Sequence, residues 1–344
     1  MSIIVALLVF SVIVIIHEFG HFLMAKRGGI GVTSFSLGMG PAILKKKIGE
    51  TEYCVRILPF GGSCAMVGED EDSQEDNSFG KKGVWTRILV VAGGPVFNFL
   101  LAFIGSVIMI ACIGVDKPVI HEVMKGYPAY EAGVRAGDEI ISMNGRNIGI
   151  YRDVSMYIQL HQGEPVELVC ERDGERYEAR IVPKVDEEGY YLMGITGGAY
   201  SKCENPLELI KYGGAQVGYW IHMVFDSLKL MVTGQVHRED IGGPVRIVGM
   251  IGDTYEESAK VGAFAVFLSM LNMVIFLSAN LGVMNLLPIP ALDGGRLVFL
   301  LIEAIFKKKV PPEKEGAIHL IGFAFLMALM VLILFNDISL MFFK

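Results

Sequence analysis

His17-Glu18-Phe19-Gly20-His21 places two imidazoles four residues apart with a carboxylate between them. On a helix the two histidines share a face and can reach one metal ion, while the Glu, about 100° around the axis, can act as a base toward water at that ion. The pattern predicts zinc and hydrolysis; two satisfied core histidines beside a capping Glu are the plainer alternative. A catalytic zinc takes three protein ligands and keeps a fourth position open. Asp293 is the best third ligand, because it closes a long charge-free stretch, and Pro288, Pro290, Gly294 and Gly295 around it require the helix to break there. An N-cap role is the alternative for that carboxylate.

The elements that must hold these groups are apolar. Of 344 residues 52% are hydrophobic and 19% charged, and mean hydropathy is +0.49, which excludes an ordinary soluble enzyme. Four stretches without Asp, Glu, Lys or Arg decide the class: residues 2–16, 88–115, 261–292 and 316–336. Three of them exceed the roughly 20 residues that cross a bilayer core, and the first stops short where His17 begins. The expected fold is a polytopic α-helical membrane protein with four transmembrane helices. His17 follows sixteen residues, a rise of about 24 Å in helix, so the pair falls inside a hydrocarbon core of about 30 Å, near its far edge. Ionisable groups at that depth point to function. The apolar start lacks a basic leader and an A-x-A site and reads as a retained helix rather than a signal peptide.

Net charge −7 without a long basic face argues against nucleic acid. Cys54, Cys64, Cys112, Cys170 and Cys203 form no CxxC pair and read as free thiols. Residues 26–87 carry nine Lys and Arg, and Arg296, Lys307, Lys308, Lys309 and Lys314 form a second basic cluster, so both segments are expected inside. Both termini and residues 116–200 are then outside. The expected organisation is a first span at 1–27, an inner segment at 28–87 with a β-hairpin and the acidic linker 69–76, a second span at 88–115, and an outer α+β module at 116–200. An amphipathic interfacial helix and linker follow at 201–260, then a third span at 261–295, a basic loop at 296–315 and a fourth span at 316–344. The hairpin is expected from 42–47 and 52–58 around a Gly-containing turn. His319 reads as a packing or interface residue, Asn98 as bonding across helices, and Gly93, Gly94 and Gly282 as sites of close helix packing.

Taken together, His17–His21 in the first span, Gly93-Gly94-Pro95-Val96-Phe97-Asn98 in the second and Asn285-Leu286-Leu287-Pro288-Ile289-Pro290-Ala291-Leu292-Asp293-Gly294-Gly295 in the third resemble the three signatures of the site-2 protease family of intramembrane zinc metalloproteases, in its bacterial RseP/RasP-type branch. The resemblance covers nearly the whole chain. It implies one catalytic Zn2+ on His17, His21 and Asp293, Glu18 as general base, and Asn285 holding the substrate backbone or polarising its carbonyl. It also implies that the hairpin is a membrane re-entrant β-loop whose edge pairs with an unwound substrate strand, with Gly61 and Gly62 in contact with substrate. Ser63 stands where the family has an aromatic residue, and Arg296 where it commonly has His. The run from Tyr127 to Gly145 is similar to that of PDZ domains, present in one copy, with Gly194 in the candidate carboxylate-binding loop; the module is expected to filter substrates by size or to bind a peptide C-terminus. The implied partners are single-span membrane proteins already trimmed by an upstream site-1-type protease, such as anti-sigma factors, possible remnant signal peptides, and the lipid bilayer. The implied location is the bacterial cytoplasmic (inner) membrane. A non-catalytic PDZ-containing scaffold and a zinc transporter are the rival readings; the intact Glu18 disfavours the first, and polar residues gathered near one side disfavour the second.

Overall fold

A computed structural model describes residues 2–69, 73–235 and 242–342, so the centre of the acidic linker, Asp70 to Asp72, lies outside the described residues. The chain divides into two compact units: residues 1–102 with 233–344, and residues 103–232. Among the described residues, four helices are long and apolar enough to cross a membrane: Ile3–Arg27, Val84–Ile113, Ala263–Leu286 and Glu313–Leu340.

In the first unit, α1 (Ser2–Arg27) is an unbroken aliphatic run that stops where Gly29 turns left-handed at φ +65°, with Gly28 and Ile30 N–H closing on the Met24 and Ala25 carbonyls. Strands β1 (Val32–Ile48) and β2 (Thr51–Met66) follow. They form a longer and more bent hairpin than the sequence suggested. Residues 34–37 of β1 pair on one side with 52–55 and on the other with 62–65, so Phe35 partners both Tyr53 and Cys64. The second half of β2 is therefore an edge strand. Helix α2 (Val84–Ile113) crosses α1 at Gly20 and Gly93, where an added Cβ would lie 2.2 Å and 2.8 Å from the facing carbonyl oxygen. These two positions are the close packing expected from small residues.

The second unit opens with short strands β3 (Val115–Asp116) and β4 (Ile120–Val123) and one helical turn, α3 (Pro128–Glu131). Next come β5 (Glu139–Met143), β6 (Arg146–Asn147), helix α4 (Tyr151–Leu160), β7 (Val166–Arg172) and β8 (Glu175–Ile181). The antiparallel sheet runs β6-β5-β7-β8. Strands β9 (Lys184–Val185) and β10 (Tyr191–Leu192) pair together, β11 (Ile195–Gly197) pairs with β4, and β12 (Tyr200–Ser201) with β3. Alternation in β7 buries Val166, Leu168 and Cys170 against Ile140, Met143 and Met193. Helix α5 (Pro206–Val232) is helical where an amphipathic helix was expected, and buries Tyr212, Gln216 and Tyr219.

Two segments of the first unit differ from expectation. Part of the proposed linker at 201–260 is α6 (Pro244–Val261), which opens on Pro244 and packs Ile247, Val248 and Ile251 against Ala6, Val9 and Ile13 of α1. Its scattered charges, Arg246, Asp253, Glu256, Glu257 and Lys260, hid the apolar face. The third span, α7 (Ala263–Leu286), ends before Pro288, and Asp293 begins a separate helix, α8 (Asp293–Phe306). Residues 296–306 are thus helix rather than basic loop. Gly294 and Gly295 permit this restart: an added Cβ would lie 2.1 Å from Leu287 O at the first and 2.5 Å from Ile289 O at the second. The chain closes with α9 (Pro312–Phe342), whose buried Asp337 accepts the Gly243, Val245 and Arg246 N–H groups and so caps α6.

Candidate metal centre

His17 and His21 leave α1 one turn apart and point at the first residue of α8. His17 Nε2 lies 3.2 Å from His21 Nε2 and 3.2 Å from Asp293 Oδ2, and His21 Nε2 lies 3.5 Å from the same oxygen. Both histidines are 8% exposed. Asp293 Oδ2 is buried and has no hydrogen-bond donor. A buried carboxylate oxygen without a donor is costly, and two imidazole nitrogens and a carboxylate oxygen meeting this way suit a metal. Tetrahedral zinc with bonds of 2.0–2.1 Å to nitrogen separates its ligand atoms by about 3.3 Å, which the observed spacings match. Among the described residues these three side chains form the one group of His, Cys, Asp and Glu able to share an ion.

The surroundings orient the two imidazoles. His21 Nδ1–H donates to Val90 O at 2.9 Å, which leaves Nε2 free of a proton. Asn98 Nδ2 faces His17 Nδ1 at 3.1 Å, while the buried Asn98 Oδ1 has no partner. An amide turned by 180° exchanges those two atoms. In that orientation Oδ1 accepts His17 Nδ1–H, and His17 Nε2 also presents a lone pair to the centre. Gly94 keeps the space open, since an added Cβ would stand 2.3 Å from His21 Nε2 and 2.6 Å from His17 Cε1. Its role is more specific than the helix packing expected of it.

Glu18 lies on the neighbouring face of α1, with its carboxylate toward the backbone N–H of Cys64 in the edge strand of β2. Gly62 packs against this side chain; an added Cβ would be 2.9 Å from Glu18 Cγ. Gly61, at φ +80°, shapes the bend before the edge strand against Met39. Asn285, in the last turn of α7, brings Nδ2 to 3.4 Å from His17 Nε2. His17, Glu18, His21, Gly62, Asn285 and Asp293 therefore converge in the first unit. Gly194 belongs to the second unit, where it has φ +83°, accepts Met124 N–H at 2.8 Å and abuts Tyr127.

Asp293 is set by more than its own helix. Arg87 near the start of α2 makes a two-pronged pair with Glu303 of α8, one bond of 3.0 Å, with both side chains largely buried. Arg296, the departure from the family pattern, bonds Glu69 and lies 3.8 Å from Glu315 on α9. Sequence reading missed this anchorage because the Arg87–Glu303 and Arg296–Glu69 partners are more than two hundred residues apart.

Comparison with known proteins agrees with the geometry. The family model described as peptidase family M50 matches residues 5–329. A protein of Clostridium perfringens bearing a provisional zinc metalloprotease name is 40% identical over 98% of this chain and 98% of its own length. The Bacillus subtilis protein named regulator of sigma-W protease RasP is 30% identical over 99% of each chain. Among solved structures, the PDZ domain of an SdrC-like protein from Listeria monocytogenes covers 25% of this chain and 90% of its own, at 23% identity and a TM-score of 0.23, too low to carry an argument. With the family model and full-length relatives in agreement, the chain belongs to peptidase family M50, the site-2 proteases, and is a multi-pass membrane zinc metalloendopeptidase.

Proposed function

We propose that the chain hydrolyses peptide bonds in or beside the transmembrane segment of single-span membrane proteins, with His17, His21 and Asp293 holding the zinc and Glu18 as general base. The observation that carries this reading is the convergence of the His17, His21 and Asp293 donor atoms at 3.2–3.5 Å, beside Glu18 and a sheet edge. When bound, the ion supplies a Lewis acid that makes water a better nucleophile near neutral pH and stabilises charge on the scissile carbonyl oxygen. Glu18 takes the proton of the attacking water and returns it to the leaving amine. Gly62, packed against the Glu18 side chain, and the nearby Cys64 N–H keep the carboxylate on this side of the site for both transfers. A substrate helix hides its peptide bonds and must be extended first; strand addition along residues 62–65 stabilises the extended form next to Glu18. Asn285, within reach of His17, holds the substrate backbone on the opposite side.

The module of the second unit acts as a filter rather than a peptide receptor. Supporting this, α4 packs directly on β10 and β11: the Tyr151 ring abuts Gly197 and Gly198, its hydroxyl lies 3.4 Å from Ile195 O, and Gln159 Nε2 donates to Tyr191 O at 3.1 Å. The basic residues of 26–87 and 296–314 support a place in the bacterial cytoplasmic membrane with the module and both termini outside. The sigma-W regulator name of the B. subtilis relative supports membrane-anchored anti-sigma factors as substrates; their prior trimming by another protease rests on the family resemblance alone.

The test is Glu18→Gln in membranes with a tagged single-span substrate, with zinc measured on the purified chain. Cleavage should fall to background while one equivalent of zinc is retained. Undiminished cleavage would overturn the mechanism, and a wild-type chain without stoichiometric zinc would overturn the ligand assignment.

A further inference from the structure

The loop that delivers Asp293 holds one residue in an unfavourable conformation. Ala291 has φ +76°, a left-handed geometry that crowds the Cβ of any L residue and that Gly adopts freely. It lies between Pro290 and Leu292, two residues before Asp293. A shift of this residue would rotate the start of α8 and move the carboxylate.

The support comes from the fourth span. His319 of α9 accepts the Ala291 N–H on Nδ1 at 2.9 Å. One turn on, Gly322 leaves no room for a side chain: an added Cβ would be 2.4 Å from Pro290 Cβ and 2.6 Å from Pro290 O. The face of α9 carrying His319 and Gly322 thus seats the Pro290-Ala291 peptide directly. Glu315 Oε1 lies 3.9 Å from His319 Nε2 and favours the proton there, which leaves Nδ1 as the acceptor the loop needs. The Phe299 ring of α8 stands 5.8 Å from the imidazole and holds its plane. His319 is outside the group of side chains that could share the ion, and its Nδ1 is already committed to a backbone amide.

We propose that His319 is a positioning residue for the metal centre: by fixing the left-handed turn at Ala291 it sets the placement of Asp293, so α9 takes part in the site without touching it. The proposal rests on the reading of Asp293 as a zinc ligand.

The experiment uses the full chain in detergent, with zinc affinity read by chelator competition and cleavage of the tagged single-span substrate read in parallel. His319→Leu should weaken zinc binding by about tenfold or more, the scale expected when a partner outside the ligand set is lost. His319→Asn places an oxygen two bonds beyond Cβ, as Nδ1 is, and should stay within about threefold of wild type. Adding Ala291→Gly to His319→Leu should recover most of the loss, because Gly needs no external support at positive φ. Wild-type zinc affinity in His319→Leu would overturn the proposal. So would an Asn variant as impaired as the Leu variant with no recovery from Ala291→Gly, which would mark general packing damage. Asp293→Ala serves as the reference: if it keeps wild-type zinc affinity, the ligand reading itself fails, whereas loss there with none in His319→Leu defeats this proposal alone.

Discussion

Two carboxylates, one in each unit, show how the same group serves different ends. Asp138 in the second unit is fully buried and fully satisfied. Arg172 Nε donates to Oδ1 at 2.7 Å and Nη2 to Oδ2 at 2.8 Å, the Arg135 backbone N–H adds a bond of 2.7 Å, and the Tyr177 hydroxyl adds another. Asp293 in the first unit is turned toward two imidazole nitrogens, and its buried Oδ2 has no donor. A carboxylate surrounded by donors is a structural cross-link; one whose neighbours are also lone pairs suits a cation.

The sharpest way to break that contrast is to neutralise each carboxylate in turn. Asp293→Ala should drop zinc well below one equivalent and cost more activity than the ~10–100-fold typical of losing a residue that only orients a ligand. Asp138→Asn should leave zinc stoichiometry unchanged and destabilise the module by about 2–3 kcal/mol, the scale of charged hydrogen bonds lost from a buried site. Exchanged outcomes, with zinc lost from Asp138→Asn and retained in Asp293→Ala, would reverse the assignment.

A smaller effect sharpens the role of the atoms around the imidazoles. Asn98→Leu removes the acceptor for His17 Nδ1–H and should weaken zinc by about tenfold or more, whereas Asn98→Asp keeps an acceptor and should bind at least as tightly as the Leu variant by a wide margin. Equal affinities in the Leu and Asp variants would show that Asn98 merely fills space.

The contrast also explains what the sequence made legible. His17, Glu18 and His21 lie within one helical turn, so local spacing alone announced them, and low charge density in the apolar stretches made Asp293 conspicuous. What stayed hidden depends on pairs far apart in the chain. The prolines and glycines around Asp293 announced a break in the helix, but neither the positive φ of Ala291 nor the restart of α8 at Asp293 itself was readable from them. The edge strand of β2 was invisible because its pairing partner, residues 34–37, is also the partner of residues 52–55. Helix α6 was lost because five charges on its exposed side diluted an apolar face that fits α1. His319 and Asn98 are polar residues in apolar helices, which the sequence shows, but their partners are fixed only by packing.

The mildest test concerns pH, and its sign follows from the Asp138 surroundings. Burial pushes this carboxyl up, but the bonds from Arg172, Tyr177 and the Arg135 N–H outweigh it and hold it below the usual carboxylate range. The unfolded chain, with an ordinary Asp near 4, therefore takes up a proton at a higher pH than the folded module does. Stability from this site is complete above the unfolded value and is lost as pH falls through the lower folded one. Hydrogen-exchange protection of β5 and β7 in the full chain, expressed as an opening free energy, should thus decline from pH 5 toward pH 3. Asp138→Asn cannot titrate and should start lower but decline less steeply over the same range. An equal slope in the variant would place the acid sensitivity in the module's other carboxylates and end the reading of Asp138 as its ionised cross-link.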